Sequence, residues 1–158
     1  MMLSSIKEDF KLNPLDCYFT LDVNQTRLAT FDSLSGGDVE INVIKHNVVY
    51  SSGESSTLLI PGTTQYSPVE LKSGFGNTKE LYNWFVNASS GAYSDARKNV
   101  TITLNALKDG EYVPLVAWNL FNAWPSKISG FESNQYNVAN VAKFSMTIVA
   151  ESIERTDP

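Results

Sequence analysis

The sequence predicts a mainly β fold, an antiparallel β-sandwich or partly closed barrel, that carries one amphipathic α-helix. Two observations lead to this prediction. Apolar and polar residues alternate with a period of two along several segments, which is typical of antiparallel strands with one face in a core and the other in solvent. Helical spacing is clear in a single segment near the middle of the chain. Because 158 residues are enough to bury one core, we expect a single domain over residues 1–158, of which residues 1–15 form a flexible N-terminal arm.

Four segments carry the strand pattern. Their apolar positions are Cys17, Phe19, Leu21 and Val23; then Val39, Ile41 and Val43; then Val100, Ile102, Leu104 and Ala106; and finally Ala142, Phe144, Met146, Ile148 and Ala150. The third segment is followed by Asp109-Gly110, a pair that tolerates positive φ and so favours a tight hairpin turn. We therefore expect Val100–Leu107 to pair with Tyr112–Trp118.

The predicted helix begins after Asn77. Asparagine is a good N-cap, and Glu80 stands three residues later, where a capping-box partner belongs. Leu81, Trp84 and Phe85 then share one face of the helix at the i, i+3, i+4 spacing. The small residues from Ala88 to Gly91 end it.

A long loop is predicted from His46 to Ser56. Its apolar stem, Val48-Val49-Tyr50, is followed by a polar tip that contains Ser52, Gly53 and Glu54. An apolar stem below a polar tip indicates a hairpin that projects and packs against another subunit. A second long loop, rich in Asn, Gln and Ser, is predicted from Phe131 to Asn140, and such loops in compact domains are often functional.

Composition and charge exclude several classes of protein. The net charge is −5 with no basic cluster, which argues against binding to duplex DNA through its phosphates. The single cysteine, Cys17, excludes an internal disulfide and is expected to be a buried thiol. No apolar run has the length of a signal peptide or the ~20 residues of a membrane helix. We expect a protein that is cytoplasmic when synthesised and is not inserted into a membrane.

The sequence offers no pattern that indicates catalysis. The only histidine, His46, has no cysteine or histidine nearby that could complete a metal site or a catalytic dyad. The segment from Gly74 to Lys79 lacks the spacing of a dinucleotide-binding loop and the ending of a P-loop. Asp38 and Glu40 are interpreted as solvated or interface charge. The tryptophans are interpreted as core or subunit contacts, since no basic residues lie between them to bind a nucleic acid strand. We therefore expect no enzyme activity, cofactor or metal.

Several short segments, each weak alone, occur in a specific order. They are Phe31-Asp32-Ser33-Leu34-Ser35-Gly36, Ile60-Pro61-Gly62, Val69-Glu70-Leu71-Lys72-Ser73-Gly74, a helix with Trp84, Asn122-Ala123-Trp124-Pro125 and a final strand with Glu151. In this order, from about Tyr18 to Thr156, the chain resembles the tail-tube proteins of contractile phages and related contractile injection systems. The resemblance makes these motif residues structural. Gly36, Gly62 and Gly74 are expected where strands turn, Trp124 at one end of the sandwich, and Pro125 where a segment ends.

The resemblance implies a tail-tube (Hcp-like) fold and a function in assembly. Sixfold rings of this chain would stack axially, as a helical assembly, into a hollow tube inside a sheath, in a phage virion or a host-encoded injection particle. The implied partners are further copies of the chain, the sheath protein, baseplate or spike proteins, tube-terminating proteins, and the cargo or DNA in the lumen. The residues His46, Val48, Val49, Tyr50, Ser52, Gly53 and Glu54 are then expected to form the contact between rings.

Three alternatives remain open at this point. A tube-initiator or baseplate-adapter ring would share the fold but form a single ring. A tube-ring protein of a type VI secretion system would share the architecture. A small-molecule-binding β-barrel or an enzyme would require a closed apolar cavity or a cluster of titratable residues, and the sequence indicates no such cluster.

Overall fold

The computed structural model describes residues 17–130 and 144–157, and within these residues the chain forms nine β-strands and two helices. The strands are β1 (Cys17–Val23), β2 (Thr26–Gly36), β3 (Val39–Val49), β4 (Ser55–Tyr66), β5 (Val69–Gly76), β6 (Lys98–Lys108), β7 (Glu111–Ser129), β8 (Phe144–Val149) and β9 (Ser152–Thr156), and the helices are α1 (Thr78–Ser89) and α2 (Tyr93–Ala96). The predicted N-terminal arm at residues 1–15, the predicted loop from Phe131 to Asn140, and Ala142 lie outside the described residues.

Six strands close into a ring. The sheet order is β6-β1-β2-β5-β8-β7, and β7 pairs again with β6, while β9 is added beside β7. Every pairing is antiparallel. A closed sheet leaves few free edges, so most backbone groups of the ring find a partner within the chain. The predicted fold class, an antiparallel β-sandwich or partly closed barrel that carries an amphipathic helix, is confirmed, and of its two forms the structure has the barrel.

Three of the four alternating segments form barrel strands, β1, β6 and β8, and the predicted alternation of burial is regular in β8. Phe144, Met146 and Ile148 are buried along β8, while the residues between them are partly exposed. At the β6–β7 turn, Asp109 and Gly110 have φ of 52° and 81°, as a two-residue turn of this kind requires. The pairing runs from Lys108 opposite Glu111 through Ile102 opposite Trp118, so the predicted hairpin is confirmed.

The interior of the barrel is filled by side chains. Its core consists of Leu21, Val23, Leu28, Ala29, Phe31, Val69, Leu71, Leu81, Trp84, Val100, Ile102, Leu120, Ala123, Phe144, Met146 and Ile148. The rings of Phe31 and Phe144 meet edge to face, with centroids 5.3 Å apart and planes at 74°, an arrangement that aromatic quadrupoles favour.

Helix α1 covers one side of the barrel through Leu81 and Trp84, both buried. The Asn77 side chain accepts a hydrogen bond from the backbone N–H of Glu80 at 3.2 Å, so the predicted N-cap is confirmed. The reciprocal half of the capping box does not form, because the Asn77 N–H donates to the Leu28 carbonyl at 2.7 Å. Trp84 Nε1 donates to the carbonyl of Ala96, which ties the short helix α2 to α1. The sequence did not predict α2.

Two of the three glycines expected at turns have a different role. Gly36 ends β2 with φ of 81°, in agreement with the prediction. Gly62 lies inside β4 and Gly74 inside β5, so the prediction of turns there is wrong. A Cβ on Gly62 would come within 2.8 Å of the Asn42 carbonyl oxygen, and both glycines lie beside irregularities in strand register. Glycine is required at both positions because neighbouring groups approach the backbone closely, and not because the chain turns there.

The segment around Pro125 also differs from the prediction. Pro125 does not end a segment, because β7 continues through it to Ser129 and pairs it with Ile148. Pro125 is fully buried, whereas Trp124 is only partly buried. The tryptophan that is buried in the core is Trp84, which is 2% exposed. The chain bends at Asn122, which has φ of 51°.

Candidate assembly surface

The most unusual feature of the chain is a two-stranded ribbon formed by β3 and β4, here called the arm. It is a separate sheet from the barrel. The sequence predicted a projecting hairpin from His46 to Ser56, but the arm extends from Val39 to Tyr66. His46 and the residues Val48 and Val49 therefore lie in strand β3 and not in a loop. The hairpin is longer than predicted because the alternating segment from Val39 to Val43, a pattern typical of a core strand, belongs to it.

The arm exposes large apolar side chains. They are Val39, Ile41, Val43, Ile44, Val49, Leu58, Leu59 and Ile60. Val43 is 61% exposed and Leu59 is 66% exposed, although β-branched and leucine side chains gain roughly 1.5–3 kcal/mol each from full burial. The predicted burial of Val39, Ile41 and Val43 in a core is therefore wrong for the isolated chain.

Both faces of the arm are apolar. Residues paired across two antiparallel strands share a face, and successive residues alternate between faces. Ile44 pairs with Ile60 on one face, and Val43 pairs with Pro61 on the other. A shallow depression on the arm is lined by Ile41, Val43, Leu59, Ile60 and Pro61. The signal in the sequence was the uninterrupted run Leu58-Leu59-Ile60, since a strand that is covered on both faces has no polar alternation.

The arm joins the barrel at a narrow junction. Gly36 and Gly37 have φ of 81° and 68°, and here β2 gives way to β3. Two backbone hydrogen bonds join this segment to the segment between β4 and β5. The Gly37 N–H donates to the Pro68 carbonyl at 3.1 Å, and the Ser67 N–H donates to the Asp38 carbonyl at 2.9 Å. The Ser67 hydroxyl also accepts from the Asp38 N–H at 2.7 Å. These bonds make the arm a continuation of the β2–β5 pair.

The tip of the arm is a short ordered turn. The Tyr50 N–H donates to the Glu54 carbonyl at 2.8 Å, and the Gly53 N–H donates to the Tyr50 carbonyl at 2.9 Å. Gly53 has φ of 87°, and a Cβ there would meet no atom within 4 Å. Tyr50, Ser52 and Glu54 are exposed, so the predicted tip residues lie at the end of the arm, as expected of a projecting hairpin.

The family-motif residues form two internal contacts outside the arm. Asn122 Nδ2 donates to Glu151 Oε2 at 2.9 Å, and Arg97 Nη1 lies 3.4 Å from Glu151 Oε1. Gly74 lies directly beneath the ring of Phe31.

The other motif residues are distributed along the strands. Leu71 is buried in the core, while Lys72 points to solvent with its Nζ 3.7 Å from a Glu70 oxygen. Pro61 and Gly62 belong to the arm.

The described part of the chain has no metal-binding cluster, and its apolar cavity is small. Across residues 17–130 and 144–157, no group of three or more His, Cys, Asp or Glu side chains is placed to hold a metal ion. A cavity of about 80 Å³ is lined by apolar residues that include Leu34, Trp118 and Ile153, whereas small-molecule sites usually measure roughly 300–1,000 Å³. Neither described helix has the length and apolar character required to cross a membrane.

Solved structures share this fold. A chain of the sheath-tube complex of an extracellular contractile injection system (PVC, extended state) is 21% identical with a TM-score of 0.64, covering 98% of this chain and 97% of that one. A chain of the anti-feeding prophage tube-terminating cap is 20% identical with a TM-score of 0.57, covering 89% and 88%. The Hcp1 protein of E. coli EAEC 042 is 11% identical with a TM-score of 0.51, covering 90% and 97%. No curated protein matches the sequence.

The closed antiparallel barrel, shared with these structures, defines the class of the protein as the Hcp-like tail-tube fold. The family is shown by sequence. The profile of the T4-like virus tail tube protein gp19 family matches residues 15–154, and the chain belongs to this family.

Proposed function

We propose that this protein is the structural subunit of the inner tube of a contractile tail or injection particle. Copies of the chain form rings of six, the rings stack axially around a lumen, and the resulting tube lies inside a sheath. The observation that carries the proposal is the arm, an 11-residue strand paired with a 12-residue strand, with exposed apolar side chains on both faces.

The apolar character of both faces supports an assembly of many subunits and not a simple dimer. Soluble monomers rarely expose contiguous apolar patches of more than a few hundred Å². A single partner surface covers one face of a ribbon, so a ribbon that is apolar on both faces requires cover on each side. Ring formation and axial stacking supply two such contacts, because a heterologous contact that closes makes a ring and one that does not close makes a filament.

Free strand edges support the same proposal. In the described residues, β9 pairs on one side with β7, and the arm strands pair only with each other. Unpaired edges are templates for pairing with another chain. Neighbouring copies in a ring satisfy these edges and make the barrels into a nearly continuous wall around the lumen.

The residues His46, Val48, Val49, Tyr50, Ser52, Gly53 and Glu54 form the contact between rings in this proposal, together with the longer apolar surface of the arm. The arm is about 35 Å long, since a strand rises roughly 3.3 Å per residue. An arm of this length reaches beyond its own barrel into an adjacent subunit.

Further partners follow from the family. The sheath protein would contact the outside of the tube, baseplate or spike proteins and tube-terminating proteins would bind its ends, and cargo or DNA would pass through the lumen. The similarity to a chain of a sheath-tube complex supports the first of these. The whole chain, residues 1–158, acts as one tail-tube domain. It is made in the cytoplasm and functions in a virion tail or injection particle without enzyme activity.

A tube-initiator or baseplate-adapter ring is the second candidate. It is favoured by one observation, the similarity of the fold to a chain of a tube-terminating cap, since ring proteins that do not stack can use the same barrel. A small-molecule-binding barrel has less support, because the interior is filled by the core residues.

Negative-stain electron microscopy of the purified chain, with sedimentation velocity over a range of concentrations, tests the proposal. Stacked hollow rings with sixfold end views are expected at high concentration. Single rings at every concentration would favour the adapter, and monomers at every concentration would contradict self-assembly.

A further inference from the structure

The apolar cavity of about 80 Å³ lies at the foot of the arm and is here called the socket. It is bordered by Gly37, where the arm begins, and its apolar lining includes Leu34, Trp118 and Ile153, all partly exposed. Val69 also lines it and begins β5, whereas the other end of β5 leads into α1. The socket is therefore at the end of the barrel away from α1, and it is reached from the surface.

The size of the socket matches a small aliphatic side chain. A water molecule occupies roughly 30 Å³ in the liquid, so a cavity of about 80 Å³ has room for roughly two to three waters. The three carbon atoms of a valine side chain need a similar space, whereas an aromatic ring is too large. Apolar cavities stay dry, and the atoms that line them lack packing contacts on one side. An apolar side chain that enters the socket therefore restores these contacts.

The tip of the arm presents a side chain of this size. Val49, the last residue of β3, is 72% exposed, more than Val43 or Leu59. The tip and the socket are at opposite ends of the arm, because β3 has 11 residues and its two ends are about 33 Å apart. Val49 therefore cannot reach the socket of its own chain.

Opposite charges accompany the two surfaces. Glu54 is exposed in the turn at the tip. At the socket, Arg155 is paired with Trp118 and lies on the same face of β9 as Ile153. The Arg155 side chain is 62% exposed, with its Nε 3.0 Å from Asp157 Oδ1. An exposed pair of this kind is weak, and a guanidinium has five N–H donors, so Arg155 can bind a second carboxylate.

We infer that the socket binds Val49 of a copy in the adjacent ring, with Glu54 of the same tip beside Arg155. This inference rests on the proposed function and names the receiving surface of the contact between rings. Because tip and socket are different surfaces of one chain, each copy can insert its tip into one neighbour and receive a tip from another. Such a contact is heterologous, and it builds a filament when it is repeated along an axis without closing. A side chain that fills a pocket commonly supplies much of the binding free energy of an interface.

Disulfide crosslinking tests the contact directly. In a Cys17→Ser background, which removes the only native thiol, Val49→Cys is combined with Ile153→Cys, and the full chain is assembled and then oxidised. Each copy carries one thiol at the tip and one at the socket, so a ladder of covalent oligomers is expected on a denaturing gel. The matched control combines Val86→Cys on α1 with Ile153→Cys and is expected to give no ladder. Tubes of the first variant that yield no ladder would overturn the inference.

Filling the socket from within provides a second test, which does not depend on disulfide geometry. Ile153→Phe is expected to raise the threshold concentration for assembly, measured by sedimentation, by about tenfold, the effect of excluding a side chain from a cavity of this size. The melting temperature of the subunit is expected to stay the same or to rise, since the cavity is filled. Val49→Ala is expected to raise the threshold to a similar extent, and Val86→Ala is expected to leave it unchanged. A normal threshold for Ile153→Phe would overturn the inference.

An exchange of charges tests the position of Glu54. Glu54→Arg and Arg155→Glu are each expected to raise the threshold about threefold, because each places like charges side by side. The double variant restores opposite charges and is expected to assemble nearly as well as wild type. Losses that simply add in the double variant would overturn the pairing of these two residues. Absence of stacked rings in the wild type would contradict the proposed function itself, whereas normal tubes without the ladder would overturn the socket contact alone.

Discussion

Asn122 and Glu151 are 29 positions apart in sequence, yet the Asn122 amide donates to the Glu151 carboxylate at 2.9 Å. The contact occurs where β7 changes its partner. Phe121 pairs with Ser152 of β9, and Trp124 pairs with Val149 of β8. Asn122 and Glu151 occupy the gap between these two pairings, and the Glu151 N–H donates to the Phe121 carbonyl at 3.0 Å. The two residues bridge a matched interruption in neighbouring strands.

Replacing Asn122 is expected to destabilise this bend in two separable ways. Asn122→Gly removes the hydrogen bond to Glu151, at a cost of about 1 kcal/mol. Asn122→Ala removes the same bond and also places an ordinary side chain at φ of 51°, which adds roughly 1–2 kcal/mol. Urea unfolding monitored by tryptophan fluorescence measures both. Equal stability of the two variants would contradict the conformational part of this account.

Glu151→Gln is expected to have a small effect. The Gln side-chain oxygen can still accept from Asn122, and only the ion pair with Arg97 is lost. Because the side chains of Arg97 and Glu151 are 45% and 59% exposed, that pair contributes about 0–1 kcal/mol. Glu151→Ala, which loses both partners, is expected to lower the melting temperature by about 2–4 °C per kcal/mol lost. A melting temperature of Glu151→Ala that equals that of Glu151→Gln would show that the bond to Asn122 is unimportant.

Gly74→Ala is expected to destabilise the barrel core. A Cβ at this position would lie 2.6 Å from Phe31 Cδ1 and 3.1 Å from Cζ. The ring cannot move freely, since it also packs against Phe144, so the cost is roughly 1–3 kcal/mol of overpacking. A double-mutant cycle with Phe31→Leu tests the cause. If the two substitutions destabilise additively, the clash with the Phe31 ring is not the reason.

The cap of helix α1 is expected to contribute about 1 kcal/mol to the free energy of unfolding. Asn77→Ala removes the side-chain acceptor of the Glu80 N–H and is expected to lose this amount in chemical unfolding. Asn77→Asp keeps the acceptor and places a negative charge at the helix N-terminus, so it is the matched control and is expected to be as stable as wild type. Equal losses in both variants would assign the effect to something other than the cap.

Substitution of a single apolar residue on the arm is expected to block assembly without unfolding the subunit. Val43→Asp buries an unpaired carboxylate when the arm is covered, and we expect the threshold concentration to rise by at least about a hundredfold. Val43 is exposed in the single chain, so the stability of the monomer changes by less than about 0.5 kcal/mol.

Val86→Asp is the matched control for this variant, because Val86 is an exposed valine on α1, outside the arm. It is expected to assemble like wild type in sedimentation and electron microscopy. Normal assembly of Val43→Asp would exclude that face of the arm from the subunit contact.

The sequence by itself determined the local structure. Period-two alternation located β1, β6 and β8, because a strand with one buried face must alternate. Asp109-Gly110 determined a two-residue turn, and Asn77 determined the start of α1, since both depend on conformational preferences and hydrogen bonds within a few residues. The ordered motifs from Phe31 to Glu151 also predicted the tail-tube family, which the family profile confirms.

Only the tertiary structure decided which residues that are far apart in the sequence come into contact. The contact between Asn122 and Glu151, and the approach of Phe31 to Gly74, depend on strand register around a closed barrel, which local pattern does not encode. The exposure of Val39, Ile41 and Val43 was likewise beyond the sequence. Alternation indicates that one face of a strand must be covered, but it does not say whether the cover is the strand's own domain or another copy of the chain.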